Sequence, residues 1–326
     1  MEFSFGVLTY NSQKFIIETL ESIKYQVINF GKEYDCYLII SDDASSDSTI
    51  KLINFWLTQN RHFFTKVSLI INEKNKGTVK NYNQTFDAIT TEHFHIIAGD
   101  DLFSNSNIFN YSLNLNHYDI ITTFPINISK TGELYLARRG LERHLFRMRC
   151  KNYSKADLMK LQILGRFLHT PSTMYRKQLY SKDIRAFVEN FYLFEDDPRW
   201  YSFFKITNSI QFSTLPIVLY RDSENSVSHN PNKIMQTDFI KLTNYYIEKS
   251  EGFLLRLYLL SELNGIKNNS RYTFSSLFRY IGELLMTVSN MFNLESQELK
   301  KKLILDLDSN KKYYDFIKTE SAKYFD

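Results

Sequence analysis

The sequence is poor in cysteine and glycine, and both shortages narrow the classes of protein to which it can belong. Only two of its 326 residues are cysteines, Cys36 and Cys150. That number is too small for a disulfide framework and predicts two reduced thiols, as in a cytoplasmic protein. Only ten residues are glycines, and the N-terminal region has no Gly-x-Gly-x-x-Gly or other glycine-rich phosphate loop. This absence argues against a dinucleotide-dependent dehydrogenase and against a nucleotidyltransferase.

Long hydrophobic runs and a strong charge of either sign are also missing. No uninterrupted apolar stretch approaches the ~20 residues that a membrane span needs, and the alternation Phe3, Phe5, Val7 begins without the basic segment of a signal peptide. Any membrane contact is therefore expected to be peripheral. The net charge of +4 and the pI of about 8.7 are too mild to indicate a nucleic-acid partner. A chain that is 43% apolar and 23% charged has an ordinary soluble globular composition and can bury a large core.

The first hundred residues alternate between strand and helix patterns. Short apolar runs predict strands at 3–9, 37–41, 67–71 and 94–98. Apolar residues at helical spacing predict a helix over 13–27, capped by Asn11 or Ser12, and further helices after the second and third strands. Four such alternations predict an α/β fold with a doubly wound, mostly parallel sheet.

The carboxyl ends of these strands carry polar loops that should meet at one edge of the sheet. The loops contain Tyr10-Asn11, Asp42-Asp43, Gly77 to Asn81, and Asp100-Asp101. Two adjacent carboxylates repel each other. A divalent metal would neutralise their charge, or the hydroxyl groups of a ligand would donate hydrogen bonds to them. Mg²⁺ or Mn²⁺ with a diphosphate suits such hard oxygen ligands. The alternative for Asp100-Asp101 is a turn or a helix cap without a ligand.

A further strand is predicted at 119–124, and after it the alternation of strand and helix patterns is less regular. Residues 137–151 place Leu141, Leu145 and Met148 on one helical stripe among arginines, which is typical of a solvated basic helix or, alternatively, of an anion site. Three acids at 195–197 precede Pro198, which predicts a helix with the acids at its positive N-terminus. Capping and catalysis both remain open for these acids.

From about residue 234 the sequence has helical segments rich in Tyr, Leu and Lys, of which 253–263 and 277–292 are the most apolar. We expect these helices to pack on the preceding domain or on a second subunit, with binding to a membrane surface as the alternative. The sequence has no internal repeat and no low-complexity linker.

Taken together, several short motifs resemble the inverting glycosyltransferases of family 2, which have the GT-A fold. The resemblance runs from Phe3 to about Asn230. The motifs are Leu-Thr-Tyr-Asn at 8–11, Ser-Asp-Asp-Ala-Ser-Ser-Asp at 41–47, Asn-Lys-Gly at 75–77 with Asn81, Gly-Asp-Asp at 99–101, Glu-Asp at 195–196, and Tyr-Arg at 220–221 before Ser226-Val-Ser228. The resemblance implies a GT-A domain at 1–233, with a nucleotide-binding half at 1–103 and an acceptor half at 104–233, followed by a helical region at 234–326.

The resemblance also implies which residues bind the nucleotide of a nucleotide-sugar donor. Thr9, Tyr10 and Asn11 belong to this site, with Tyr10 stacking on the base. Asp43 would accept an N–H of the base, as in recognition of uracil. Asp100 would hold the ribose hydroxyl groups.

The diphosphate and its metal would be held by a second set of residues. Asp101 is the implied ligand of Mn²⁺ or Mg²⁺. Lys80 stands where many relatives have arginine and would pair with the diphosphate as a point charge. Arg221 is implied as a contact of the diphosphate or the acceptor. Relatives often have a histidine soon after the Tyr-Arg pair, whereas here His229 follows later and is a weak candidate metal ligand.

The chemical step would depend on the second acidic cluster. The resemblance gives the role of general base to Asp196, which would take the proton of the acceptor hydroxyl as it attacks the anomeric carbon. Glu195 would position the acceptor or its own loop. No protein acid is required at the leaving group, because a metal neutralises the diphosphate.

These inferences predict a metal-dependent, inverting glycosyltransferase that moves a sugar from a nucleotide sugar, UDP-linked in the leading interpretation, to a hydroxyl of a glycan or lipid-linked oligosaccharide. Such enzymes build capsule, lipopolysaccharide or other surface polysaccharides. We expect a cytoplasmic protein, or one held peripherally at the inner face of the membrane, with its C-terminal helices contacting the membrane or a second copy in a homodimer. No nucleic acid is expected as a partner. The alternatives are a non-catalytic nucleotide- or carbohydrate-binding protein of the same fold and a sugar nucleotidyltransferase.

Overall fold

The structure is a computed structural model, and it describes residues 1–149, 152–165, 168–222, 233–268, 270 and 273–325. Cys150, Ser226, Ser228 and His229, which were singled out in the sequence, lie outside the described residues. Cys36 is a free, buried cysteine, and burial raises the pKa of its thiol to about 12. This thiol therefore stays protonated and unreactive at neutral pH.

Strands are concentrated in the first two thirds of the chain. They are β1 (Glu2–Thr9), β2 (Asp35–Asp42), β3 (Lys66–Ile71), β4 (Phe94–Ala98), β5 (Leu102–Phe103), β6 (Ile120–Thr122), β7 (Ile126–Ile128), β8 (Leu134–Tyr135), β9 (Thr173–Tyr175), β10 (Ile210–Phe212) and β11 (Val218–Arg221).

Helices alternate with the strands and then make up the whole C-terminal part of the described chain. They are α1 (Ile16–Phe30), α2 (Thr49–Asn60), α3 (Thr78–Ala88), α4 (Ile108–Asn114), α5 (Arg138–Arg149), α6 (Lys155–Gly165), α7 (Lys182–Val188), α8 (Asp197–Ile206), α9 (Lys233–Lys249), α10 (Phe253–Lys267), α11 (Phe274–Met291) and α12 (Leu294–Ala322). Short 3₁₀ turns lie at Arg61–Phe63, Thr170–Ser172 and Lys177–Leu179.

The main sheet is parallel and has the strand order β3-β2-β1-β4. Its strands are apolar on both faces because helices cover both. On one face, Phe5 and Val7 of β1 pack with α1 and α2 in a cluster that includes the fully buried Trp56. On the other face, Tyr82 and Phe86 of α3 belong to a second cluster. Each fully buried large apolar side chain contributes roughly 1.5–3 kcal/mol to the free energy of unfolding. The predicted doubly wound α/β architecture is confirmed.

The start of α1 differs from the prediction. The helix begins at Ile16, and neither Asn11 nor Ser12 caps it with its side chain. Residues 12–15 instead form a turn in which the backbone N–H groups of Phe15 and Ile16 both donate to the Ser12 carbonyl, at 2.9 Å. The side chain of Asn11 is engaged in joining two loops, which is why it is not available as a cap.

Residues 102–221 contribute two small sheets, in the orders β10-β6-β9 and β5-β11-β7-β8. The predicted strand at 119–124 is present as β6. The predicted basic helix is present as α5, and its Leu141 and Leu145 are buried. It is not simply solvated, because the Arg149 guanidinium donates to the Asn290 amide oxygen of α11 at 2.7 Å.

The C-terminal helices pack on the preceding domain, which is one of the two packing arrangements expected from the sequence. Leu242 and Tyr246 of α9 join the cluster around α3 and α8. Helix α12 packs on α1, and the Tyr313 hydroxyl donates to the Phe103 carbonyl at 3.0 Å. Just beyond this helix, the Tyr324 hydroxyl accepts the Asn60 side-chain amide at 2.7 Å. The division into a domain at 1–233 and a helical region at 234–326 stays a prediction. Among the described helices, none combines the length and apolar character needed to cross a membrane.

Candidate active site

The loops after β1 and β2 are fastened to each other by Asn11. Its backbone N–H donates to the Ser45 hydroxyl at 2.8 Å, and its side-chain oxygen accepts the Ser46 backbone N–H at 2.9 Å. Asn11 adopts a positive φ of 50°, a conformation that asparagine tolerates better than most residues. The neighbouring Tyr10 is 51% exposed. An aromatic ring is thus held at the edge of the sheet with a face open to a ligand.

Asp43 organises the loop that follows β3. One of its carboxylate oxygens accepts the backbone N–H of Lys76 at 2.8 Å and the side-chain amide of Asn72 at 3.1 Å. The other accepts the backbone N–H of Gly77 at 2.9 Å. Asp43 is buried, and these bonds satisfy most of the roughly four acceptor directions of a carboxylate. The predicted contact of Asp43 with a base therefore has one acceptor direction left, and it stays a prediction.

Gly77 brings this loop against the segment that precedes the second acidic cluster. Its φ is +87°, and a Cβ atom there would lie 2.8 Å from the Tyr192 ring and from the Tyr192 carbonyl oxygen. The Tyr192 hydroxyl donates to the Asn75 side-chain oxygen at 3.0 Å. Only glycine fits this backbone and this close approach. Lys80 lies in the first turn of α3 just beyond and is exposed.

Asp100 and Asp101 follow β4 directly, as the sequence predicts. Asp101 is 2% exposed, and one of its carboxylate oxygens accepts the Arg221 backbone N–H at 2.8 Å. Its backbone carbonyl accepts the Thr19 hydroxyl at 2.7 Å. Burial, followed by the charge of Asp100, raises the pKa of Asp101 well above its usual value. The ionised form of Asp101 is therefore disfavoured at this position, in spite of the nearby Arg221.

The Arg221 side chain lies beside this pair and is almost fully buried. Its Nε donates to the Asp100 carbonyl at 2.9 Å, its Nη2 lies 2.6 Å from a Glu18 carboxylate oxygen, and its Nη1 donates to the Tyr314 hydroxyl at 3.2 Å. The guanidinium also lies 4.1 Å from the centre of the Phe15 ring. In this structure Arg221 holds the strand end that carries the two aspartates, and its predicted contact with a diphosphate or acceptor stays a prediction.

The described residues contain no group of three or more His, Cys, Asp or Glu side chains that would hold a metal by themselves. The Asp100-Asp101 pair does fit a site of another kind. Mg²⁺ is commonly bound by one or two carboxylates while substrate phosphates and water supply the other ligands. The repulsion between the Asp100 and Asp101 carboxylates, which a bound cation would relieve, is consistent with such a site.

The second acidic cluster lies where predicted, at the start of α8. Asp196 is the N-cap residue, and its side chain accepts the Asp197 backbone N–H at 2.7 Å. The other carboxylate oxygen of Asp196 lies 3.5 Å from the Thr170 hydroxyl, which accepts the Trp200 indole N–H at 2.8 Å. Asp196 therefore has one oxygen fixed by its helix and one that faces Thr170.

The neighbours of Asp196 in sequence have different environments. Asp197 is buried and accepts a hydrogen bond from the Gln162 amide of α6. Glu195 is partly buried. One turn into α8, the fully buried Arg199 guanidinium lies 4.2 Å from the centre of the Tyr82 ring. The Asp197 carboxylate is therefore buried and already hydrogen-bonded, so Asp196 is the more accessible candidate base.

His169 is a neighbour of Asp196 to which the sequence assigned no role. Burial, opposed by the charge of Asp196, lowers its pKa to about 4, so the imidazole is neutral near pH 7. Its Nδ1 lies 3.0 Å from the Ser172 hydroxyl oxygen, and its ring meets the Tyr220 ring edge-on at 4.8 Å. No spacing or motif marks this residue, since Asp196 and Tyr220, which it meets in the fold, lie far from it in the chain.

Strands β11 and β4 connect the two acidic sites. In β11, Tyr220 contacts His169 on the Asp196 side and the next residue, Arg221, holds Asp101. In β4, the His95 Nε2 lies 2.8 Å from the Pro171 carbonyl oxygen. The two sites therefore share one rigid framework, which the order of motifs along the sequence does not reveal.

Comparison with protein families identifies a family to which the sequence is similar. The family model described as glycosyl transferase family 2 matches residues 4–183, which is more than half of the chain. Among curated proteins, Uncharacterized protein Rv1520 of Mycobacterium tuberculosis and Uncharacterized protein Mb1547 of Mycobacterium bovis are each 28% identical over 98 residues, covering 30% of this chain and 26% of theirs. The chain spans about a quarter of the length of the curated relatives it matches.

Solved structures match over nearly the whole chain. The crystal structure of S. aureus TarS 1–349 in complex with UDP-GlcNAc has a TM-score of 0.56 and 18% identity, covering 94% of this chain and 80% of that one. The complex of the same protein with UDP has a TM-score of 0.53 and 16% identity, covering 99% of this chain and 92% of that one. At this identity the likeness shows the fold.

Proposed function

The chain belongs to glycosyl transferase family 2, and from this premise we propose that it is a metal-dependent, inverting enzyme that transfers a sugar from a UDP-sugar to a hydroxyl of a glycan or lipid-linked oligosaccharide. That it is a glycosyltransferase of the GT-A fold follows from the family and the structural likeness. The UDP and UDP-GlcNAc held by the TarS structures support the choice of donor. The observation that carries the proposal is the Asp100-Asp101 pair at the end of β4, in which Asp101 is buried and Asp100 is partly exposed.

The proposed donor site lies across the loops at the carboxyl edge of the sheet. The exposed ring of Tyr10 would stack on the base, and the remaining acceptor direction of Asp43 would receive a base N–H. Thr9 and Asn11 complete this part of the site, since Asn11 fixes the loop that carries Tyr10. Asp100 would hold the ribose hydroxyl groups.

The diphosphate would lie between Lys80, at the positive N-terminal end of α3, and Asp101. In the proposal Asp101 holds Mn²⁺ or Mg²⁺ with oxygen ligands from the diphosphate. The bound ion would neutralise charge on the leaving group. The contribution of the chain is to hold the Asp101 carboxylate in place, through the Arg221 backbone N–H, before any ligand arrives.

Asp196 is the proposed general base. As the acceptor oxygen forms a bond to the anomeric carbon, the bond from that carbon to the diphosphate breaks and its electron pair leaves with UDP. The acceptor proton passes to the Asp196 oxygen that faces Thr170, because the other oxygen is held by the Asp197 N–H. His169 is neutral near pH 7 and forms no ion pair that would weaken this base. Glu195 would position the acceptor or its loop.

A screen of UDP-, GDP- and dTDP-sugars for release of the nucleoside diphosphate tests the activity. We expect Asp196→Asn to lower turnover about 10³-fold, within the range for removal of a general base, while UDP binding with Mn²⁺ is unchanged. We expect Asp101→Asn to abolish the metal-dependent part of UDP binding. Asp183→Asn, at an exposed acid on α7, is the matched control.

Each alternative has its own outcome in these assays. Full activity of the Asp196 variant would contradict its role as base. Binding of UDP without turnover on any donor would identify a non-catalytic binding protein. Formation of a nucleotide sugar from a nucleoside triphosphate and a sugar phosphate would identify a nucleotidyltransferase.

The proposed pathway is synthesis of a surface polysaccharide such as capsule or lipopolysaccharide. Its support is the resemblance to enzymes that use nucleotide sugars on the cytoplasmic side of the membrane. We accordingly propose a cytoplasmic location, with the acceptor presented at the inner membrane face when it is lipid-linked. Incubation with lipid-linked and free acceptor glycans, followed by analysis of the product, distinguishes the two acceptor classes.

A further inference from the structure

Helix α11 directs its apolar side chains to solvent. These side chains recur every three or four residues and are each 42–64% exposed. They form what we call the α11 stripe: Phe274, Leu277, Phe278, Ile281, Leu284, Leu285 and Val288. A surface helix of a globular protein normally turns such a stripe toward the core. The arrangement here is the reverse, and it indicates a surface that is covered when the protein functions.

The opposite face of α11 is fixed to the protein by polar contacts. The Asn290 side-chain amide donates to the Glu142 carbonyl at 2.8 Å, and the Arg149 guanidinium donates to the Asn290 side-chain oxygen at 2.7 Å. Near the other end, the Ser275 backbone N–H donates to the Ser261 hydroxyl at 3.1 Å. These contacts hold both ends of the helix, so the stripe cannot turn inward without breaking them.

The exposed apolar area is large enough for a stable interface. About half of seven large side chains, with Met291 and Phe292 beyond them, amounts to roughly 800 Å². The largest apolar patch on a monomeric protein is typically about 300–600 Å². A standard interface buries about 800 Å² on each partner. The stripe together with Met291 and Phe292 therefore provides about the area of one side of such an interface.

The charges on α10 and α11 themselves nearly balance. Helices α10 and α11 carry three basic residues and two acidic ones. Arg279 pairs with Glu262 at 3.0 Å, and Glu283 lies 3.6 Å from Arg139. A helix that lies on an anionic membrane has lysines and arginines in excess along its polar face. These two helices carry only one more basic residue than acidic residues.

The stripe is symmetric about Ile281. In an antiparallel pair of α11 helices related by a two-fold axis, apolar residues at equal distances from this centre meet each other. The pairs are Ile281 with its own copy, Phe278 with Leu284, Leu277 with Leu285, and Phe274 with Val288. We propose that the stripe packs in this way against α11 of a second copy of the chain, forming a homodimer. This inference does not depend on the proposed reaction.

Light scattering coupled to size-exclusion chromatography measures the predicted assembly. We expect a mass of twice the 38.7 kDa of the chain. Ile281→Glu would place two carboxylates together at the axis in an apolar interface, and we expect it to raise the dissociation constant at least 100-fold without lowering the unfolding temperature of the monomer. Ile28→Glu, at a 44% exposed isoleucine on α1, is the matched control and should remain dimeric. A monomeric wild-type protein at about 50 μM, or a dimeric Ile281→Glu variant, would overturn the proposal.

Two further measurements identify the occupant of the stripe. Ile281→Cys should form an intermolecular disulfide on mild oxidation, because the residue faces its own copy, whereas Ile28→Cys should not. Sedimentation with vesicles of phosphatidylglycerol and phosphatidylcholine tests the membrane. Vesicle binding by a monomeric wild-type protein that is lost in Ile281→Glu would overturn the dimer in favour of a lipid surface.

Discussion

At the scale of single residues, the most consequential contact is one that the motifs do not mark, between Glu18 and Arg221. The two side chains are 15% and 7% exposed and lie 2.6 Å apart. Glu18→Gln would leave the Arg221 cation buried without its partner, so we expect a loss of about 2–4 kcal/mol in the free energy of unfolding. Because Arg221 also holds the Asp100 carbonyl, we expect the KM for the donor to rise about tenfold with a smaller change in kcat. Urea unfolding and steady-state kinetics measure both effects.

The control for this substitution is Glu320→Gln. It removes the same charge from an ion pair with Lys323, in which the lysine side chain is 61% exposed. Surface pairs of this kind contribute about 0–1 kcal/mol, so stability and donor affinity should both stay close to those of the wild type. An unchanged unfolding free energy and donor KM in Glu18→Gln would show that Arg221 does not position the aspartates.

At the scale of elements, the Asn75-Lys76-Gly77 loop links the donor site to the segment before Asp196. Gly77→Ala would force a Cβ atom against Tyr192 at a φ of +87°. We expect this strain to displace the N–H that Asp43 accepts, to lower stability by about 2 kcal/mol or more, and to weaken UDP binding at least tenfold. Calorimetry with UDP and thermal unfolding measure these effects separately.

Gly132→Ala separates the contact from the backbone strain. Gly132 has a similar φ of +83°, but a Cβ atom there would meet no atom within 4 Å. Its substitution should cost only about 1 kcal/mol in stability and leave UDP binding unchanged. Equal losses in the two variants would mean that the contact of Gly77 with Tyr192 has no part in the site.

The elements also show which parts of the fold can be predicted from sequence. The part of the fold that contains the main parallel sheet is predictable, because the local spacing of apolar residues indicates each strand and helix. The parallel topology then places Asp43 and Asp101 at one edge of the sheet. The contacts of Arg221 with Glu18 and Tyr314 join positions 203 and 93 residues apart in the chain. No local periodicity encodes such contacts. The prediction that Asn11 caps α1 was wrong for the same reason, because the Asn11 side chain forms its hydrogen bond with another loop and not with the end of the helix.

At the scale of the whole molecule, three buried histidines make stability depend on pH. Burial lowers the pKa values of His95, His144 and His169 to about 4, below the 6.5 of an unfolded histidine. Between these values the unfolded chain binds more protons, so stability should increase as the pH rises from 4 to 6.5. Asp101 and Asp306 oppose this trend, because their pKa values are raised in the folded state, but they contribute two protons against three. Folding stability should therefore be lost as the pH falls from 6.5 toward 4.

The slope of this pH dependence tests the account. Each imidazole should contribute roughly 3 kcal/mol across the window, since one pKa unit corresponds to about 1.4 kcal/mol. His144→Gln keeps a donor near the Ser213 carbonyl that His144 Nε2 meets at 2.9 Å but cannot take up a proton, so the slope should fall by at least about one third. His62→Gln, at an exposed imidazole, should leave the slope unchanged. Urea unfolding at intervals between pH 4 and 7 provides the measurement, and a wild-type protein as stable at pH 4.5 as at pH 7 would show that these histidines are not held neutral by the fold.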